Sequence, residues 1–194
     1  MDIIKTAYGV LGIKGLSYFP NFISEDIAKD LLDAIDRNTW SNELKRRVQH
    51  YGYRYDYKSR AVTAGSYLGP LPTWLDHFIA EILPSSVLPE RPDQVIVNEY
   101  LPGQGISAHV DCIPCFGDTI ASLSLASATT MVFTRPSGEN EHLRLNPCSL
   151  LVLAADARSK WRHAIPARKS DMVDGERKPR GRRISLTFRK VRTA

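Results

Sequence analysis

The spacing of hydrophobic positions changes near residue 90. Before it, Ile27, Leu31, Ala34 and Ile35 recur at three- and four-residue intervals, the period of one helix face, and predict a helix over residues 25–38. Ser24 stands where an N-cap belongs, and Glu25 and Asp26 put negative charge at the positive end of the helix dipole. A second helix is predicted from Pro72, which suits a first turn, through Leu83, with Trp74, Phe78 and Ile82 along its core-facing side. Pro84 and Pro89 then break the chain into a loop.

From Gln94 onward the period falls to two. Short strands are predicted over residues 94–100, 106–111, 120–126, 130–134, 141–145, 149–155, 162–166 and 184–191. Turn-separated strands in this number build two packed antiparallel sheets, a jelly roll or double-stranded β-helix. The expected fold class is α+β, with the N-terminal helices packed on the outside of one sheet. Repeats, low-complexity tracts and long linkers are absent, so residues 1–194 read as a single domain.

His109-Val110-Asp111 lies on one of these strands, and alternation puts its imidazole and carboxylate on the same face. His163, arriving from another strand, adds a second nitrogen. Two histidines and one carboxylate form the facial set of non-heme Fe(II) oxygenases, which leaves coordination positions open. Downstream, Arg183 and Arg189 bracket Ile184-Ser185-Leu186-Thr187-Phe188, and paired guanidinium groups suit a dicarboxylate.

In this order the motifs resemble the AlkB-like Fe(II)/2-oxoglutarate dioxygenases, over about residues 18–192. Asn98-Glu99-Tyr100-Leu101-Pro102-Gly103-Gln104-Gly105-Ile106 is similar to the family's N-x-Y-x-P-G segment, and Arg183 with Arg189 to its closing R-x5-R. Pro102-Gly103-Gln104-Gly105-Ile106, residues 118–125 and residues 188–192 look most like the branch that hydroxylates wobble uridines in tRNA. The resemblance implies Fe(II), 2-oxoglutarate and O2, with His109, Asp111 and His163 as catalytic iron ligands. It also implies that Arg183 and Tyr100 hold the distal carboxylate of 2-oxoglutarate. Asn98 and Arg189 would hold the iron-side carboxylate, Arg189 would steady Asp111, and Ser185 would bond the co-substrate. The implied reaction is oxidative dealkylation of N-alkylated bases in DNA or RNA, releasing formaldehyde and succinate. Its alternatives are hydroxylation of a modified tRNA base, or oxidation of a protein or small molecule. Gly103 and Gly105 are expected to serve a turn needing positive φ.

Composition places this chain among ordinary globular proteins, at 43% hydrophobic and 24% charged residues. Its basic residues are unevenly spread: residues 157–194 hold 13 Lys/Arg against 3 Asp/Glu, and residues 1–156 hold 13 against 18. That asymmetry suits either a polyanionic partner or a solvated basic tail. Residues 46–57 interleave basic and aromatic side chains, as a lid stacking on an extruded or single-stranded base would, or as a tyrosine-rich strand at a sheet edge would. Arg47, Gln49, Tyr51 and Tyr53 are the candidate substrate contacts.

After Asp111 the chain reads Cys112-Ile113-Pro114-Cys115, with no acid before Asp118 to meet the amino group of an alkylated adenine or cytosine. Cys112, Cys115 and Cys148 leave open a zinc-bound, non-catalytic RNA-binding module, although no second C-x2-C is present. Three cysteines do not make a secreted disulfide scaffold. A reducing setting, cytoplasmic or nuclear, is expected, as are a monomer, a nucleic-acid partner and no membrane association.

Overall fold

In the computed structural model, residues 8–192 except 82 and 85 are described. The elements run β1 (Tyr8–Gly9), β2 (Leu16–Phe19), α1 (Glu25–Asp36), β3 (Val48–Tyr51), α2 (Thr73–Glu81), β4 (Gln94–Tyr100), β5 (Ile106–His109), β6 (Ile120–Ala126) and β7 (Thr129–Thr134). They continue with β8 (Asn140–Leu145), β9 (Ser149–Leu153), α3 (Ala155–Ser159), β10 (Arg162–Ile165), β11 (Ser170–Val173), β12 (Glu176–Pro179) and β13 (Arg183–Arg189).

Seven strands form the major sheet in the order β1-β2-β9-β6-β13-β4-β3, and four form the minor sheet in the order β5-β10-β7-β8. All pairings are antiparallel. Alternation divides the major sheet into two faces. Val95 and Val97, Leu123 and Leu125, Leu150 and Val152, and Ile184, Leu186 and Phe188 point outward and pack under α1 and α2. Opposite them, Tyr100, Ile120, Leu151 and Leu153 meet Met131, Phe133, Leu145 and Ile165 of the minor sheet. The jelly roll therefore has one core beneath its helices and a second between its sheets, and the second is closed by apolar side chains only part of the way along.

α1 begins as expected, with Ser24 Oγ accepting from the Ile27 amide at 3.3 Å. It stops two residues short of the expected end, where the Asn38 side chain donates to the Ala34 carbonyl at 2.7 Å and so satisfies an acceptor of the last turn. In α2, Pro72 sits just outside and its carbonyl accepts from Leu75 and Asp76. The buried face is Leu75, Phe78 and Ile79, with Trp74 only partly buried, and Ile82 lies outside the described residues.

The strand predicted over 149–155 ends at Leu153, where Gly15 accepts the Ala154 amide and the chain turns into α3. The strand predicted over 106–111 ends at His109, because Arg158 rather than a neighbouring strand takes the Asp111 carbonyl. The β11–β12 hairpin and strands β1 and β2 had no counterpart among the predicted elements, whereas β3 is the sheet-edge strand that residues 46–57 offered as one reading. Among the described residues, no helix is long and apolar enough to cross a membrane.

Candidate active site

The inner face of the major sheet and the ends of β5 and β10 enclose a cavity of about 690 Å³. Antiparallel pairing of β5 with β10 sets His109 directly opposite His163, and their rings lie 4.4 Å apart. Asp111 follows from the loop after β5. One ligand atom from each of His109, Asp111 and His163 lies within 4.8 Å of the others, and no other described group of histidine, cysteine and acidic residues meets that condition.

The His109 Nδ1 donates to the Ser107 carbonyl at 2.8 Å, so Nε2 is left facing Asp111 Oδ1 at 3.6 Å. Fixing the tautomer in this way is how a metal-binding imidazole is commonly oriented. Burial would raise the Asp111 carboxyl, but the Arg189 charge and the neighbouring His109 and His163 outweigh it and hold it far below the usual range. His163 is pushed down to about 4, mainly by burial, so it is a neutral donor at physiological pH. One anionic oxygen beside two imidazole nitrogens suits a divalent ion.

The arginine pair lies along the cavity wall. Register alternation aims Arg183, Ser185, Thr187 and Arg189 inward from β13. Arg183 is 3% exposed and donates through one Nη to Ser124 at 2.9 Å, while its Nε and other Nη are buried without partners. Its guanidinium stands 5.4 Å from the centre of the Tyr100 ring. Burial lowers its pKa to about 10, still cationic at neutral pH. A buried cation with two unused donors is expensive without an anion, and a carboxylate meets that need. Arg189 reaches both Asp111 oxygens, at 3.2 and 3.3 Å, and packs against Phe116. Asn98 and Ser185 line the same wall, both buried.

Substrate contacts expected from residues 47–53 require correction. β3 is an edge strand paired with β4, Val48 opposite Asn98, so Gln49 and Tyr51 share the outer face with Val97 and Val95. Gln49 donates to the carbonyls of Ile35 and Asn38 at the end of α1, and Tyr51 donates to Gln49 and packs on Trp74. Arg47 forks onto Glu99 and lies over Trp40, while Tyr53 packs against Tyr67. None of the four lines the cavity. The stretch from residue 45 to residue 60 instead contributes Lys45, Arg46, Tyr55, Tyr57 and Arg60 to its lining. The mixture of basic and aromatic residues is present at the cavity, carried by neighbours of the expected residues on either side of β3.

Two further side chains were missed. Arg46 Nε donates to Asn98 Oδ1 at 2.9 Å, and Arg158, from the short α3, fastens the loop that follows the iron-ligand strand. Arg46 was visible as part of a basic cluster, but no sequence signal marks Arg158.

The cysteines and the basic C-terminal region also resolve differently. Cys112 and Cys115 are joined to one another, Cα–Cα 5.3 Å, and Cys148 stands apart as a free thiol, so the zinc reading has no closed site among the described residues. Much of the C-terminal charge is absorbed internally: Arg180 pairs with Asp171, Arg182 with Asp36 and Glu99, Lys190 with Asp93 and Arg192 with Asp118.

Comparison with known proteins agrees with this geometry. The sequence profile of the 2OG-Fe(II) oxygenase superfamily matches residues 36–189. An uncharacterized protein, L905, of Acanthamoeba polyphaga mimivirus is 35% identical over 185 residues, covering 92% of this chain and 86% of that protein. The Arabidopsis thaliana alkylated DNA repair protein ALKBH8 homolog is 36% identical over 206 residues, covering 94% of this chain and 60% of that one. The Macaca fascicularis tRNA (carboxymethyluridine(34)-5-O)-methyltransferase ALKBH8 is 36% identical over 202 residues; the match covers 92% of this chain but only 30% of the macaque protein. Among solved structures, OsALKBH1 superposes with a TM-score of 0.69 at 17% identity, covering 91% of this chain and 96% of that one, which is a likeness of fold. The chain belongs to the 2OG-Fe(II) oxygenase superfamily and is an AlkB-like 2-oxoglutarate-dependent dioxygenase.

Proposed function

We propose that this dioxygenase oxidises a carbon substituent on a nucleobase in single-stranded or flipped-out DNA or RNA. The observation that carries the reading is the His109–Asp111–His163 cluster, set in a cavity whose rim combines Tyr55 and Tyr57 with Lys45, Arg46 and Arg60. Aromatic faces stack an extruded base, and the cations meet its phosphates. Relatives named for alkylated-DNA repair, for tRNA carboxymethyluridine methylation and, in Caenorhabditis elegans, for DNA N6-methyl adenine demethylation support a nucleic-acid substrate.

His109, Asp111 and His163 would hold Fe(II), with Asp111 kept anionic by Arg189. Arg183, assisted by Tyr100, would take the distal carboxylate of 2-oxoglutarate, and Asn98, Ser185 and Arg189 would line its other end. With iron, 2-oxoglutarate and O2 bound, the site couples oxidative decarboxylation to succinate and CO2 with insertion of one oxygen atom into a substrate C–H bond. The chain's own part is to orient the two partners and keep the arginines charged. On an N-methyl group the hydroxylated carbon leaves as formaldehyde, and on a carbon-linked substituent the hydroxyl stays.

The test is anaerobic reconstitution with Fe(II), then addition of 2-oxoglutarate and oxygen, with succinate assayed beside mass spectrometry of N-methylated DNA, N-methylated RNA and modified tRNA. Loss of one methylene mass with formaldehyde marks dealkylation; gain of one oxygen mass marks hydroxylation. Succinate without change in any oligonucleotide would sink the nucleobase reading. His109→Ala and Arg183→Ala are the inactive controls.

A further inference from the structure

The charges lining the cavity do not balance. Lys45, Arg46, Arg60, Arg183 and Arg189 are cationic, and Asp111 is the one carboxylate among the lining residues. Asp111 is already engaged by Arg189 and His109, and His163 has a ring nitrogen within 4.8 Å of it. Arg183 has a use if it meets a dicarboxylate. That leaves Arg46 as the cation nearest to the co-substrate residues without an anionic counterpart.

Arg46 is held in place from three directions. Its chain neighbours are fixed by the Ser41–Val48 bridge and by the pairing of Val48 with Asn98. Its Nε donates to Asn98 Oδ1 at 2.9 Å, and its guanidinium carbon lies 5.8 Å from the Tyr100 ring centre. Arg47, the next residue, turns to the opposite face and is anchored on Glu99, which keeps Arg46 directed at the cavity. With Nε used, the two Nη groups form a planar pair of donors that no described protein acceptor takes up. A guanidinium accepts no hydrogen bonds and does not lose its proton, so it recognises only acceptor atoms and repels cations.

We propose that Arg46 is the specificity-determining residue for the substrate base, donating through its Nη pair to ring or substituent oxygens. The inference rests on the nucleobase reading above and narrows it: this cavity favours bases that present carbonyl or carboxylate oxygens and carry no positive charge. 3-Methylcytosine and 1-methyladenine are cationic and present an amino group on the edge beside the methyl, so the same donor pair works against them.

The test compares 3-methyluridine with 3-methylcytidine in otherwise identical short single-stranded RNAs. These bases have the same methyl position and nearly the same shape, and differ in one oxygen-for-amino exchange and one charge. Binding is read by fluorescence anisotropy with Mn(II) and the unreactive analogue N-oxalylglycine, so no turnover is needed. Wild type is expected to prefer 3-methyluridine by about tenfold or more, the order of one charge-assisted hydrogen bond. Arg46→Ala should abolish the preference and Arg46→Lys should retain part of it. Because Arg46 Nε also holds Asn98, N-oxalylglycine affinity, measured by calorimetry, should fall by no more than the few-fold that one hydrogen bond accounts for, less than the loss of base preference.

If the preference survives in Arg46→Ala, or if N-oxalylglycine affinity collapses while base preference is kept, the proposal is wrong and Arg46 belongs to the co-substrate site. Wild type binding both modified RNAs equally, but more tightly than unmodified RNA, would overturn this inference alone. Wild type ignoring the modification entirely would overturn it together with the nucleobase reading.

Discussion

Arg158 and Asp111 are joined through the backbone: the Arg158 guanidinium donates to the Asp111 carbonyl at 2.8 Å, while the Asp111 carboxylate faces the opposite way, toward Arg189. The same guanidinium reaches the Cys112 carbonyl at 3.2 Å and the Gly117 carbonyl at 3.3 Å, and it is only 6% exposed. One side chain thus satisfies three carbonyls of the loop that delivers the metal ligand. Arg158→Met keeps the volume and leaves those acceptors unpaired. Supporting residues of this kind typically affect metal affinity by about 10–100-fold. Titration with Mn(II) should show a loss of that order, accompanied by a lower melting temperature. Unchanged metal affinity would mean that the loop holds Asp111 without Arg158.

Arg183 is a buried cation whose remaining donors have no protein partner. Such a group costs stability until an anion arrives. Arg183→Met should therefore leave the ligand-free protein as stable as wild type, or more stable by about 1–3 kcal/mol. The variant should also lose the thermal stabilisation that 2-oxoglutarate gives wild type through binding to the folded state. Differential scanning with and without 2-oxoglutarate reads both effects. A destabilised apo variant that still responds to 2-oxoglutarate would contradict the assignment.

Two neighbouring glycines are expected to respond differently to alanine. Gly103 has φ +92°, and a Cβ there would meet only the Lys169 side chain at an ordinary 3.8 Å, so its alanine variant suffers mainly from backbone strain, about 1 kcal/mol. A Cβ on Gly105 would sit 2.1 Å from the Ile165 carbonyl oxygen and 2.9 Å from the Ala167 nitrogen, both backbone atoms. Relief requires β5 and β10 to separate, and β10 carries His163. Gly105→Ala should cost several times more in urea unfolding and should weaken Mn(II) binding, whereas Gly103→Ala should bind metal normally.

These glycines also show what the sequence could reveal. Positive φ was expected at both; Gly103 has it, but Gly105 is needed for close approach of a strand far away in the chain. The same distinction holds elsewhere. Short runs rich in strand-forming residues and bounded by turns marked β4 and β6 at their observed limits, Gln94–Tyr100 and Ile120–Ala126. His109, Asp111 and His163 were legible because motif order survives in one dimension. Which face of β3 points inward depends on its register against β4, and a shift of one residue reversed the choice between Arg46 and Arg47. Arg158 was invisible because its partners are main-chain carbonyls, which carry no residue identity.

His50 provides a pH-dependent prediction. It lies on the inner side of β3, its ring 5.7 Å from that of Tyr57, and both ring nitrogens are buried without partners. Burial is the main cause that lowers its pKa from 6.5 to about 4; Arg54 adds repulsion, Glu43 opposes it, and Arg189 and Arg46 add smaller repulsions. Between those two values the unfolded chain binds the proton and the folded one does not. Stability from this group is therefore complete above about pH 6.5 and is lost progressively as pH falls toward 4. The loss amounts to roughly 3 kcal/mol at about 1.4 kcal/mol per pKa unit. His163, also depressed to about 4, contributes in the same direction, so the comparison must be made by difference. His50→Leu removes the titrating group and keeps an apolar side chain. Urea unfolding of metal-free wild type and variant from pH 7.5 to 4.5 should show wild type losing more stability than the variant as pH falls, by an amount approaching that figure. Parallel curves would show that His50 takes up its proton in the folded state as readily as in the unfolded one, and that its burial is relieved by water.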